Sequence, residues 1–376
     1  MSIALQTPSV PWADATRRQH FSTWIRGLAA THQLDLASVQ IASADASFRR
    51  YLRIHATGGA KGSSLGRSLI IMDAPPDKEN CEPFVRIARL MQDAGLLVPE
   101  VLEWNEPLGF MLMTDLGHQT MMADINASEP QANLPQYLEA TERLIQWQLA
   151  SQSGVLPAYD EALLRRELET FPEWYVGRHL GKVLTADQRS TLDEAFRRII
   201  AHNLQWPSVY VHRDYMPRNL MVNVPNHAPP LGGSSHCGSL GMGILDFQDA
   251  VYGPITYDIA SLMRDAFLTW EEEFVLEVTI RYWEKARKAG LPIGDDFGAF
   301  YQGVEWMGLQ RHLKVAGVFA RLTLRDGKPK YLADTPRFIQ YIRSTCSRYM
   351  ELKPLLRLVE NLEGIAFQSA FAYGRV

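Results

Sequence analysis

Val211-His-Arg-Asp-Tyr-Met-Pro-Arg-Asn-Leu-Met221, followed after a polar insert by Gly243-Ile-Leu-Asp-Phe-Gln-Asp249, decides how this chain is read. Apolar runs at Val209–Val211 and Leu220–Val222 flank the first segment, so the pattern predicts a loop between two short strands. Asp214 lies on that loop and Asn219 five residues further on. Such a loop can aim a carboxylate at a hydroxyl and fold back to bring an amide near a metal. Asp246 ends a third apolar run and is expected to project from a strand end into the same cleft. This is the residue set that moves the γ-phosphoryl of ATP. Asp214 would accept the hydroxyl proton, and Asn219 and Asp246 would hold Mg2+. Magnesium takes hard oxygens and keeps several waters, so two protein donors plus the ATP phosphates suffice. His212 is expected to be structural.

Outward from that centre the pattern changes character. Before it, a helix is expected over about 13–31, then a hairpin from Val39–Ile41 and Phe48–Ile54, and a Gly/Ser-rich loop at 58–68. A strand at Leu69–Met72, a helix opened by Asn80 and Pro83 and closed by Gly95, and strands at Val98–Trp104 and Phe110–Thr114 complete a small α+β lobe. After Gly117 the periodicity is helical. Leu134–Ala150 carries Tyr137, Leu138, Leu144, Ile145 and Leu149 at helical spacing, as on one inward face. Thr185 and Gln188 form a capping box for a helix with Leu192, Phe196, Ile199, Ile200 and Leu204 inward. The insert 225–241 reads as a mobile surface loop. Helices are expected to resume at Pro254, stop at Gly290 and Gly327, and restart at Thr335-Pro336. The division predicted is 1–117, a nucleotide-binding lobe, and 118–376, a helical lobe carrying the catalytic loop and the acceptor site.

Composition narrows the function classes. The 376 residues suit two lobes; 46% hydrophobic and 21% charged content is that of a globular enzyme. A net charge of −4 and a pI near 6.2 give no basic footprint, which argues against a nucleic-acid partner. Three scattered cysteines signal neither a disulfide framework nor a zinc ribbon. Neither a signal peptide nor a membrane span is read from the sequence, and the scattered cysteines suit a reducing cytoplasm; a monomer is expected, with nothing in the sequence that sets the oligomeric state.

His-Arg-Asp with Asn219 and Asp246 in this setting resembles the aminoglycoside phosphotransferase and choline kinase superfamily. Protein kinases proper differ. They have a Lys where Met216 stands, a Gly where Gln248 stands, and an Ala-Pro-Glu activation segment. Gly253-Pro-Ile-Thr-Tyr-Asp258-Ile-Ala260 resembles the superfamily's Gly-Asp-Pro-x-x-Asp-Leu-Ala helix start, which implies that Asp258 hydrogen-bonds the catalytic-loop backbone from below. The implied fold is α+β: a two-lobed, protein-kinase-like fold of the aminoglycoside phosphotransferase type, with a small sheet-containing N-lobe and a mainly helical C-lobe. A closer resemblance rests on Asp45-Ala-Ser-Phe-Arg-Arg-Tyr51, Asp246 to Asp258 and Gly308-Leu-Gln-Arg-His-Leu-Lys-Val315. These runs look like the anomeric amino-sugar kinases of peptidoglycan recycling. That family uses Mg2+ with ATP to phosphorylate the C1 hydroxyl of N-acetylmuramate and N-acetylglucosamine. Two alternatives stay open: a kinase for another small alcohol or an aminoglycoside, and a non-catalytic pseudokinase.

The resemblance also sets the remaining expectations. Ala44, Asp45, Ala46 and Ser47 occupy the phosphate-covering hairpin turn. Met113, Thr114 and Leu116 form the hinge to the adenine edge, over which Tyr51 packs. The strand Leu69–Asp73 lacks the lysine that contacts phosphates in the best-known kinases, and Arg49 or Arg50 would supply its charge. For the acceptor, Arg218, Gln248 and Asp249 are near the chemistry in sequence, and Arg311 or Lys314 would meet the lactyl carboxylate of muramate.

Overall fold

A computed structural model of the chain describes residues 10–12, 14–44, 48–57, 68–225 and 240–365. In chain order the first elements are α1 (Ala15–Leu28), β1 (Leu34–Ala44), β2 (Arg50–Ala56), β3 (Ser68–Asp73), α2 (Glu82–Asp93), β4 (Val101–Asn105), β5 (Phe110–Thr114) and α3 (Met121–Asp124). Next come α4 (Leu134–Leu149), α5 (Glu161–Leu168), α6 (Ala186–Asn203), β6 (Ser208–Val211), β7 (Leu220–Pro225), β8 (Leu240–Ile244) and β9 (Val251–Pro254). The chain closes with α7 (Thr256–Met263), α8 (Glu272–Lys288), α9 (Phe297–Leu324), α10 (Thr335–Arg348) and α11 (Lys353–Glu363). By contact these form two units: Met1–Ala127 with Pro217–Ala250, and Ser128–Met216 with Val251–Val376. A cut at residue 117 would put β7 and β8, the strands flanking Asn219 and Asp246, with the helices; their contacts group them with the N-terminal sheet.

The first unit is built on an antiparallel sheet of order β1-β2-β3-β5-β4. Strand alternation gives it two faces. On one, Leu52, Ile54, Leu69, Ile71, Phe110 and Leu112 join Phe21 and Ile25 of α1 in a buried core. Tyr51 and Arg53 on β2, Ile70 on β3 and Met113 on β5 have the opposite parity. Helix α2 starts where Asn80 accepts the Glu82 N–H (3.0 Å), with Pro83 in its first turn, and the chain turns away at Gly95 with φ +79°. The β7–β8 hairpin attaches to this unit through bridges Leu97–Gly243 and Thr120–Met221.

The second unit is helical around the 28-residue α9, with one two-stranded ribbon, β6–β9. The Thr185–Gln188 capping box forms with both of its hydrogen bonds. Gly290 and Gly327 take positive φ after α8 and α9. Three expectations are corrected here. Pro254 does not open a helix: it pairs with Ser208 at the end of β9, and α7 starts at Thr256. Proline is tolerated there because the strand ends with it. Leu204 and Leu149 are exposed, each lying at the C-terminal end of its helix, where the apolar stripe has run past the core.

Candidate active site

The loop bearing Asp214 follows β6 in the second unit and is held from several directions. Asp258, in the first turn of α7, accepts the N–H groups of His212 (2.7 Å) and Arg213 (3.0 Å) on its two carboxylate oxygens. Those bonds require the backbone to turn sharply, and Arg213 takes φ +75°, a left-handed conformation costly for a non-glycine residue. Arg311 of α9 donates to the Arg213 carbonyl (2.7 Å), and Tyr215 donates its hydroxyl to the Ala140 carbonyl (2.7 Å). The buried His212 ring accepts the Asp214 N–H at Nδ1 (3.3 Å). Asp214 itself is half-buried, so its carboxylate is pre-aimed while water can still reach it.

Under the loop lies a charge cluster. Glu167 of α5 receives the Arg213 guanidinium, the Lys314 ammonium (3.0 Å) and the Tyr159 hydroxyl. Burial pushes the Glu167 carboxyl up, but Lys314 and Arg213 outweigh it and hold it at about 2. Asp258 goes the other way. It is wholly buried, and desolvation lifts its carboxyl to about 7 against the pull of the two backbone N–H groups.

In the first unit, Asn219 and Asp246 are neighbours. Asn219 Nδ2 lies 3.4 Å from Asp246 Oδ2, and Gln248 Nε2 donates to Asp246 Oδ1 (2.8 Å). The Leu245 N–H donates to the Asn219 carbonyl (2.8 Å), tying the two segments. Asp246 also has a left-handed backbone, φ +63°. The buried Phe247 beside it packs against Phe84 of α2, ring centroids 4.8 Å apart.

Asn219 and Asp246 line a cavity of about 340 Å³ that lies wholly within the first unit. Its other walls include Tyr51, Ile70, Met113, Thr114, Leu116 and Arg218. An apolar slot with a polar end suits a flat base carrying charged groups. Thr114 is not available along its whole backbone edge: its N–H goes to the Glu100 carbonyl (3.0 Å) and its hydroxyl accepts the Glu100 N–H (2.8 Å).

Several expected residues fall elsewhere. Asp45, Ala46 and Ser47 lie outside the described residues, and Ala44 ends β1; positions 58–67 and most of the insert, 226–239, are likewise outside. Arg49 is ion-paired with Glu79 (3.0 Å). Arg50 pairs with Asp73 (2.5 Å) and stacks over Trp12, 4.0 Å from its ring centre, on the α1 side of the sheet. Neither is among the cavity-lining residues. Gln248 is buried and serves Asp246; Asp249 is exposed. Arg311 and Lys314 engage Arg213 and Glu167.

The sequence reading passed over Arg53 and Glu167. Arg53 lines the cavity and grips Asp115 through Nε (2.5 Å) and Nη2 (3.0 Å). It also reaches the Gly117 carbonyl (2.7 Å) and His118 Nδ1 (2.6 Å). Its signal was the alternation Tyr51-x-Arg53, which puts both on one strand face. Glu167 had no local signal, because its two cationic partners are 46 and 147 positions away in sequence.

Comparison with known proteins gives the family and the fold. A model of the APH phosphotransferase enzyme family matches residues 38–293. The chain is 44% identical over 349 residues to a curated N-acetylmuramate/N-acetylglucosamine kinase of Neisseria meningitidis serogroup B, covering 93% of this chain and 96% of the relative. It is 44% identical over 331 residues to one of Pseudomonas putida, covering 88% and 90%. Among solved structures it is similar to an ethanolamine kinase of Plasmodium vivax, with a TM-score of 0.58, 10% identity and 89% of each chain covered. At that identity the likeness speaks for the fold, which is protein-kinase-like.

Proposed function

The chain belongs to the phosphotransferase enzyme family, and we propose that it is an ATP-dependent sugar 1-kinase acting on N-acetylmuramate and N-acetylglucosamine. The observation that carries the reading is the loop of Asp214, fixed at three backbone atoms by Asp258 and Arg311. In this proposal Asp214 accepts the proton of the C1 hydroxyl. The freed oxygen attacks the γ-phosphorus in line, and ADP leaves, giving the sugar 1-phosphate. The two relatives named for these sugars support the substrate.

The residues present fit Mg2+. One carboxylate and one amide are hard oxygen donors, and among the described residues no group of three or more His, Cys, Asp or Glu could cage a metal unaided. Asn219 and Asp246 would hold the ion, which supplies charge neutralisation on the phosphates when bound with ATP. Gln248 orients the Asp246 carboxylate for that task. Tyr51 and the segment 113–117 would hold the adenine, with Asp115 and Leu116 reading its edge because the Thr114 and Gly117 N–H groups are already taken. A cytoplasmic setting is part of this reading, supported by the proposed use of ATP.

The test is incubation with Mg-ATP and a panel of N-acetylated sugars, free alcohols and aminoglycosides. Phosphorylation at C1 removes the reducing end and couples phosphorus to the anomeric proton in NMR. A product that keeps its reducing end, or turnover only with an aminoglycoside, refutes the assignment. Asp214→Asn should cut kcat by about 10² to 10⁴ with little change in KM for ATP.

A further inference from the structure

Phosphoryl transfer needs a fixed cation against the phosphates, and in protein kinases a strand lysine paired to a helix glutamate provides it. Among the described residues, β3 and α2 carry neither half of that device. The cavity-facing residue of β3 is Ile70, in register between Arg53 of β2 and Met113 of β5. The buried residues of α2 are Phe84, Val85, Ile87, Ala88 and Met91, with no carboxylate among them. Phe84 lines the same cavity as Ile70. Apolar packing has replaced the ion pair, so the charge must come from another wall.

Among the described residues, two guanidinium groups line the cavity, Arg53 and Arg218. Arg53 is committed. Its bonds to Asp115, Gly117 and His118 use four of the five guanidinium N–H groups. Its charge is matched by Asp115, which also accepts from Ser68 (2.7 Å) and the Gly117 N–H (2.9 Å). Burial pushes the Asp115 carboxyl up, yet these bonds win and it stays below the usual range. Arg53 therefore fastens segment 115–118 to the sheet. Arg218 is placed differently: it precedes Asn219 in the turn Pro217–Asn219, and the Leu245 N–H anchors that turn to the strand carrying Asp246. It lines the cavity beside the two metal-site residues and is half-buried.

We propose that Arg218 is the phosphate-binding cation of this enzyme, taking the role of the missing strand lysine from the catalytic-loop side, while Arg53 serves only the base end. The inference rests on the ATP use proposed above and revises the expectation that Arg218 contacts the acceptor. A guanidinium can grip two phosphate oxygens at once, where an ammonium is a point charge.

The experiment is calorimetric titration of the sugar-free protein with adenosine, AMP, ADP and ATP, using wild type, Arg218→Met, Arg218→Lys and Arg53→Met. Arg218→Met should bind adenosine as wild type does, which also shows that it is folded. Its gain in affinity from adenosine to ATP should shrink about 10- to 100-fold, the weight of a charged hydrogen-bond pair. Arg218→Lys should recover part of that gain. Arg53→Met should weaken adenosine and ATP by the same factor. An unchanged ATP-to-adenosine ratio in Arg218→Met overturns the proposal. Because no sugar is present, failure of the sugar assignment leaves this readout standing; wild type that binds no adenine nucleotide sinks both.

Discussion

Glu167→Gln tests whether the charge cluster under the catalytic loop supports both fold and chemistry. The wild-type carboxylate, 8% exposed at its side chain, neutralises Arg213 and Lys314 together. Holding a carboxyl at about 2 instead of 4.5 corresponds to about 3 kcal/mol at neutral pH, at ~1.4 kcal/mol per tenfold. Gln keeps the shape but leaves two cations without their counter-charge, a loss in the same range by experience with buried pairs. The sign with pH is fixed: the folded pKa is depressed, so the stabilisation is full above about pH 4.5 and disappears as pH falls toward 2. Urea unfolding of both proteins should therefore show a gap of about 3 kcal/mol at pH 7 that narrows below pH 4.5. Because Arg213 precedes Asp214, kcat should also fall, by about tenfold or more, with KM for ATP little changed. Equal urea midpoints at pH 7, or a gap that widens toward acid, would refute the reasoning.

Asp258 carries the opposite signature. Its folded pKa of about 7 lies above the unfolded 3.8, so the native state takes up a proton between them and its contribution falls as pH rises from about 4 to 7. Melting temperatures of wild type and Asp258→Asn should therefore converge or cross as pH rises through that window; a wild-type advantage that grows with pH would contradict it. Gln248→Ala should raise the Mg2+ concentration for half-maximal activity, with kcat largely restored at saturating Mg2+, because only the orientation of Asp246 is lost. Gly253→Ala should lower stability by about 1–3 kcal/mol in chemical denaturation, since its Cβ would sit 2.6 Å from Cβ of the buried Tyr159.

The sequence disclosed what chemistry dictates and hid what register decides. Phosphoryl transfer demands specific residue types at a short spacing, so Asp214, Asn219 and Asp246 stand out in the sequence as candidates for the roles proposed above, and Asp258, recognised from the helix start after Gly253, does accept the catalytic-loop N–H groups. The sheet-and-helix order followed from periodicity, and Thr185 with Gln188 marked α6 because a capping box is local. Arg50 and Arg53 look equivalent in sequence. Strand parity separates them: Arg50 shares its side with Leu52 and reaches Asp73 and Trp12, while Arg53 shares its side with Tyr51 and reaches Asp115. Arg311 and Lys314 resembled ligand-binding cations because a helix face of cations looks the same whether it meets solvent, substrate or a buried glutamate. Only the fold shows that α9 places them against Arg213 and Glu167.

Two non-glycine residues with left-handed backbones, Arg213 and Asp246, sit at the centre of the two segments that carry the chemistry. Each costs roughly 1–2 kcal/mol in an L-residue, so neither would persist unless its surroundings required it. Glycine would remove the cost at either position, but it would also remove the side chain that the conformation exists to direct. Around Arg213 the requirement comes from Asp258 on its N–H, Arg311 on its carbonyl and Glu167 on its guanidinium. Around Asp246 it comes from Gln248 and Asn219 on the carboxylate, with the Leu245 N–H held by the Asn219 carbonyl. In both cases the strain is balanced by bonds from residues that are themselves buried or strand-anchored. The backbone turn at Arg213 then fixes where the Asp214 carboxylate points, and the turn at Asp246 fixes where its own carboxylate points. In the roles proposed above, a base and a metal ligand aimed before substrate arrives would need little rearrangement at the moment of transfer, and preorganisation of this kind is what the left-handed residues would secure.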